Sequence, residues 1–169
     1  MWAKGRFSHM SESAAKAKES GFTHIEANAS VPPRMVSELI ETAVPISSIH
    51  SPYPMVLSSK GIPAASLSLS SLDESERIEA VIFTKKTIDI AAIVSDKAVV
   101  IHMGEVPIDL SLKDKLCRLY DERHSENKEY NRVKEELIFQ RISRVLPYLD
   151  AARKSLRELS EHSQRTSIM

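Results

Sequence analysis

Two of the six histidines end short apolar runs. Ile46-Ser47-Ser48-Ile49-His50 runs into Ser51-Pro52-Tyr53, and Ala98-Val99-Val100-Ile101-His102 runs into Met103-Gly104. A β-branched run that stops at a His and then a Pro or Gly has the pattern of a buried strand feeding a loop. In parallel α/β folds, ligands and catalytic groups gather at the C-terminal ends of strands. Two neutral imidazoles brought to such an edge are the start of a divalent-metal site, provided each ring is oriented by an acceptor on its other nitrogen. Glu26, within Thr23-His24-Ile25-Glu26-Ala27-Asn28-Ala29, is placed to bond a ligand hydroxyl or to orient His50; its alternative is an ion pair with a nearby Lys or Arg. Asn28 and His24 share its face, His24 lying deeper. Tyr53 could stack on a ligand or simply pack beneath the Ser-rich loop.

The elements that must position these residues alternate. Ser11–Ser20 is rich in Ala, Lys and Glu and stops at Gly21, a helix with its glycine cap. Thr23–Ala29 alternates as a strand. Pro32-Pro33 opens a short helix through Thr42 with Val36, Leu39 and Ile40 on one face. Ile46–His50 is the next strand, and Pro52–Ser70 a Ser- and Pro-rich loop. Ser71-Leu72-Asp73-Glu74 is a capping-box pattern opening a helix to about Val94, with Ile78, Val81, Ile82, Ile88 and Ala92 sharing a face. Lys97–His102 is the third strand. Glu105–Glu129 is a long, charged connection of weak periodicity. Val133–Glu161 is again helical, with Leu137, Ile138, Ile142, Val145, Leu149, Leu156 and Leu159 as its buried stripe and Pro147 expected to kink or divide it. This alternation predicts right-handed βαβ units and a parallel sheet of three strands. A fourth, over Met1–Phe7, is charged and poorly patterned, and Thr166–Met169 has the look of a further strand cut short.

The totals narrow the classes. A chain of 169 residues suits one domain. Basic and acidic residues balance at 23 each, so bulk charge drives it toward neither nucleic acid nor a membrane surface. The single cysteine, Cys117, can close no internal disulfide. No apolar stretch approaches the ~20 residues of a membrane span, and the first nine residues lack a signal-peptide core. A cytoplasmic protein is the expectation. Arg6 and His9 lie where a first-strand loop would open, while Glu105, His124 and His162 have the surroundings of surface groups.

Four segments together resemble the xylose-isomerase-like TIM barrels, the family of sugar-phosphate isomerases and epimerases and, more distantly, the apurinic-site endonucleases. Gly21-Phe22-Thr23-His24-Ile25-Glu26 resembles the family's second strand, Ile49-His50-Ser51-Pro52-Tyr53 its third, and Val100-Ile101-His102-Met103-Gly104 its fourth. The long helix containing Tyr148-Leu149-Asp150 and Ser155-Leu156-Arg157-Glu158-Leu159 resembles the helix before its fifth strand. The resemblance implies an α/β chain forming a single partial (β/α)8 barrel over residues 1–169, with three or four parallel strands, ending before the strand that carries a metal-binding Glu. It implies a divalent ion (Mn²⁺, Mg²⁺ or Zn²⁺) for a full-length parent, with weak or no binding by this chain. His50 and His102 would contact metal or substrate, and Glu26 and Tyr53 the substrate.

The leading expectation is therefore a metal-dependent sugar or sugar-phosphate isomerase or epimerase, moving a proton alpha to a carbonyl, or its N-terminal portion. A metal-dependent phosphodiesterase of the apurinic-endonuclease type is the alternative, disfavoured by the neutral charge. An inactive half barrel is the third. The expected partners are a small sugar and, through open barrel edges, a second copy of the chain.

Overall fold

The computed structural model describes residues 5–41, 44–94 and 98–166, without the side chains of Leu39 and Ile40. Helix α1 (Met10–Glu19) ends at Ser20, and Gly21 follows at φ +85°, so the predicted glycine cap is present. No side chain of its own caps its start; instead Glu38 reaches across from the next helix, one carboxylate oxygen accepting from the Met10 N–H at 2.7 Å. Strand β1 is Ile25–Ala27, shorter than expected. Pro33–Met35 forms a 3-10 turn that leads into α2 (Val36–Ile40). Strand β2 is Ile46–His50, with the predicted bounds. After the loop come α3 (Glu74–Val94), β3 (Val99–Val100), α4 (Leu110–Asp121) and α5 (Lys128–Arg165).

The three strands form one parallel sheet in the order β1-β2-β3. This is the expected adjacency and makes the described chain α/β. Register slips by one residue between β1 and β2: Ile25 opposes Ile46, but Glu26 opposes Ser48. The extra residue, Ser47, lets Ile46 and Ile49 both point into the core, and it turns Ser48 toward Glu26. One apolar cluster joins Met10, Ala27, Met35, Ile46, Ile49, Tyr53 and Ala91. A second joins Leu69, Ala80, Val81, Ile88 and Leu159 to Val99, Ile101 and Met103.

Several expectations are corrected. The cap of α3 is Asp73, not Ser71: its carboxylate accepts from the Ser75 N–H at 2.9 Å, while Ser71 Oγ donates to Glu76. The buried face of α3 is Arg77, Ala80, Val81, Thr84, Thr87, Ile88 and Ala91. Ile78 and Ile82 are exposed, as is Ala92. The connection after β3 contains α4, capped by Asp109 and packed through Leu119. Helix α5 runs on through Pro147 as one 38-residue helix. Of its predicted stripe only Leu159 is buried, while Ile138, Ile142, Leu149 and Leu156 are exposed. Gly5–Phe7 form no strand. The expectations placed on Met1–Lys4, Thr42, Lys97 and Ser167–Met169 lie outside the described residues.

Helix α5 meets α3 around the buried Arg77 side chain. The Arg77 guanidinium donates to Glu74 at 2.8 and 2.9 Å, to Ser155 Oγ at 2.9 Å and pairs with Glu158 at 2.8 Å. Ser155 Oγ in turn donates to the Leu69 carbonyl at 2.7 Å. Arg77, then Lys154, hold the Glu74 carboxyl down to about 2.

Candidate functional site

Parallel pairing of β2 and β3 sets Ile49 against Val99 and His50 against Val100, so both histidines emerge at the same, C-terminal end of the sheet. Their rings stack with centroids 4.6 Å apart and planes 28° from parallel, and the two Nε2 atoms meet at 2.5 Å. On its other side, His50 Nδ1 lies 3.3 Å from Glu26 Oε1. The second carboxylate oxygen accepts from Ser48 Oγ at 2.7 Å. The protonation that satisfies every contact has His50 donating from Nδ1 to Glu26 and accepting at Nε2 from His102 Nε2–H. Glu26 thus does what one of its two expected roles required: it orients His50. Ser48, which holds the carboxylate, was missed; its signal was its place two residues before His50, on the same strand face.

The segment beyond His50 is fastened to α3. Ser51 Oγ donates to Thr84 Oγ1 at 3.1 Å, and Thr87 Oγ1 accepts from the Tyr53 N–H at 2.8 Å. Both threonines also donate to carbonyls one turn back in their own helix, which suits a helix packed closely on a strand end. After His102, Gly104 takes φ +111°, and a Cβ there would run into the hydroxyls of Ser68 and Ser70. The glycine of the Val-Ile-His-Met-Gly run is therefore needed for its backbone and for the space.

Between these elements lies a cleft of about 410 Å³. Its polar wall carries Glu26, Asn28, Ser30, His50, Thr84 and His102; its apolar wall comes from Ala64, Leu67, Leu69 and Ile101 among others. Asn28 is turned back on its own loop, accepting from the Ser30 N–H at 3.0 Å.

Other candidates lie elsewhere. Tyr53, expected against the ligand, does not line the cleft: it is 1% exposed, in the core cluster of β2, and its hydroxyl has no hydrogen-bond partner among the described residues. Burial pushes that phenol up to about 12. His24 is exposed and bonds its neighbour Thr23. His9 pairs with Glu38 at 3.2 Å, His124 with Glu122 at 3.6 Å, and His162 with Asp89 at 2.6 Å, all away from the cleft.

The pair of imidazoles fits a metal in part. Two nitrogens bound ~2.0–2.1 Å from one tetrahedral ion stand roughly 3.4 Å apart. The rings must therefore part by nearly 1 Å and give up the shared proton, which half-exposed side chains at a loop edge can do. The Glu26 carboxylate on His50 is the outer hydrogen bond that metal-binding imidazoles need. Among the described residues, however, no group of three His, Cys, Asp or Glu side chains is gathered to hold an ion. The sequence matches no protein-family model and no curated protein. No helix among the described residues is long and apolar enough to cross a membrane.

Proposed function

We propose that this chain carries the substrate cleft of a metal-assisted sugar or sugar-phosphate isomerase or epimerase, on the opening βα units of a xylose-isomerase-like barrel. The observation that supports this most is the convergence of His50 and His102 Nε2, with Glu26 behind His50, at the C-terminal end of three parallel strands. In this reading Mn²⁺, Mg²⁺ or Zn²⁺ would be held by those two nitrogens, with water or substrate oxygens completing its shell. Bound there, such an ion supplies polarisation of a carbonyl beside the carbon that loses its proton.

The chain's own residues then bind and orient. Glu26 fixes the His50 ring, and Ser48 fixes Glu26. The apolar wall of Ala64, Leu67 and Leu69 excludes water from one side of a small ligand, and the cleft volume lies at the lower end of ligand sites. A sugar of a few carbons suits that size. With two imidazoles as the donors gathered among the described residues, binding of the ion by this chain is weak.

Calorimetric titration with Zn²⁺ and Mn²⁺ tests the reading. The expected result is a weak site that His50→Ala and His102→Ala each weaken at least ~10-fold, while ketose–aldose turnover by this chain alone stays negligible with added Mn²⁺, since no carboxylate among the described residues is placed to carry the proton. Binding unchanged in the His50→Ala/His102→Ala double variant would overturn it.

A further inference from the structure

Helix α5 carries an exposed apolar stripe that differs from the expected buried one, although Ile142 and Leu149 belong to both. Glu135, Phe139, Ile142, Leu146, Leu149 and Arg153 recur at spacings of four and three, the seam of a coiled coil. Phe139, Ile142 and Leu146 are 66%, 65% and 66% exposed, and Leu149 38%. Among the described residues, the contacts that seat α5 come from behind. Arg144, about 180° around the helix from the seam, donates to the Pro107 carbonyl at 3.0 Å, and Gln140 accepts from the Asp109 N–H at 3.0 Å. Ser155 and Leu159 then meet α3. Pro147 lies about 120° off the seam and does not interrupt it.

The seam is a palindrome in size and a complement in charge. Reversed about Arg144, Ile142 falls on Leu146, Phe139 on Leu149, and Glu135 on Arg153. We infer that α5 pairs antiparallel with α5 of a second copy across a two-fold axis at Arg144. Every apolar seam residue then meets an apolar one, and an acid–base pair closes each end, Arg153 exchanging its local partner Asp150, 3.3 Å away, for Glu135 of the other copy. A parallel pairing would instead set Glu135 against Glu135 and Arg153 against Arg153. At ~200 Å² per large apolar side chain, the four exposed seam residues present roughly 500 Å² per copy. Two copies with their flanking Ile138 and polar rims approach the ~1,200 Å² at which specific interfaces begin. The sheet edges expected to self-associate are short: β1 has three residues and β3 two. Such edges offer little to an added strand.

Sedimentation of the full chain over a concentration series tests the pairing. The expected mass is twice that of the chain at concentrations on the order of 10 µM. Leu146→Glu, on an exposed position that leaves the helical circular dichroism unchanged, should weaken association at least ~100-fold by setting carboxylates against Ile142. Glu135→Arg and Arg153→Glu should each weaken it on the order of 10-fold, and the double swap should restore it. A single-chain mass throughout, a dimer indifferent to Leu146→Glu, or a double swap that fails to restore pairing would overturn the inference.

Discussion

Replacing Gly104 by Ala tests how the His102 edge is built. Two costs arise there. An L-residue held at φ +111° loses on the order of 1–3 kcal/mol. The added methyl also meets the Ser68 and Ser70 hydroxyls, and those serines cannot yield freely. Ser68 N–H donates to Glu76 at 3.0 Å, Ser70 N–H donates to Ser68 Oγ at 3.2 Å, and the intervening Leu69 carbonyl is bonded to Ser155. Overpacking against so fixed a wall adds about 1–3 kcal/mol. Gly104→Ala should therefore cost about 4 kcal/mol, a large share of the ~5–15 kcal/mol that holds a domain together. Urea unfolding followed by circular dichroism measures it. The same substitution in a Ser68→Ala/Ser70→Ala background should cost only the backbone part, roughly half. A cost below ~1 kcal/mol, or an equal cost in both backgrounds, would refute the reasoning.

Two further outcomes follow from the core. Arg77→Met keeps the buried stem, and the half-exposed Glu74 and Glu158 can take water, so unfolding should shift by no more than ~1 kcal/mol; Arg77→Ala also opens a cavity and should cost about 3 kcal/mol. Equal damage from both in urea titrations would show that the charge, not the stem, docks α5. The Tyr53 hydroxyl is buried without a partner among the described residues, so Tyr53→Phe should stabilise by ~1 kcal/mol. Because its folded pKa is raised to about 12 from 10.0, the unfolded chain gives up that proton first, and stability contributed by Tyr53 falls as pH rises from about 10 toward 12. Melting temperatures at pH 8 and pH 10.5 should converge in the Phe variant, and an unchanged gap counts against a buried phenol.

What could be read from residue order alone depended on whether apolar character or small polar contacts decided each element. Ile46–His50 was legible because its buried positions are isoleucines and its end is marked by Ser-Pro. The pairing of His50 with His102 followed from two strand ends in adjacent βα units. The α3 face was not, since the helix approaches the strand end through Ala80, Ala91 and two threonines that bond outward and inward at once, and it buries an arginine that two carboxylates neutralise. Apolar counting places Ile78 and Ile82 inside; close packing places them outside. Helix α4 was missed although Leu112, Leu116 and Leu119 recur at four and three, because charged residues between them masked the period. On α5 the leucines and isoleucines surround the helix, so a single stripe was an under-reading: one face takes α3 and α4 and another is left bare.

The contact between His50 and His102 joins residues 52 apart in the chain. Closing a loop of that length costs about 3.5 kcal/mol by the logarithmic rule, before any constant term. The helical hairpin of α4 and α5 closes across a few residues and forms on local terms. Contact order therefore predicts a direction of folding: hairpin and helices early, with the two imidazoles meeting once the third parallel strand is in place. Their short contact joins two βα units, so neither unit alone can make it, and any slow step that delays β3 delays the cleft with it.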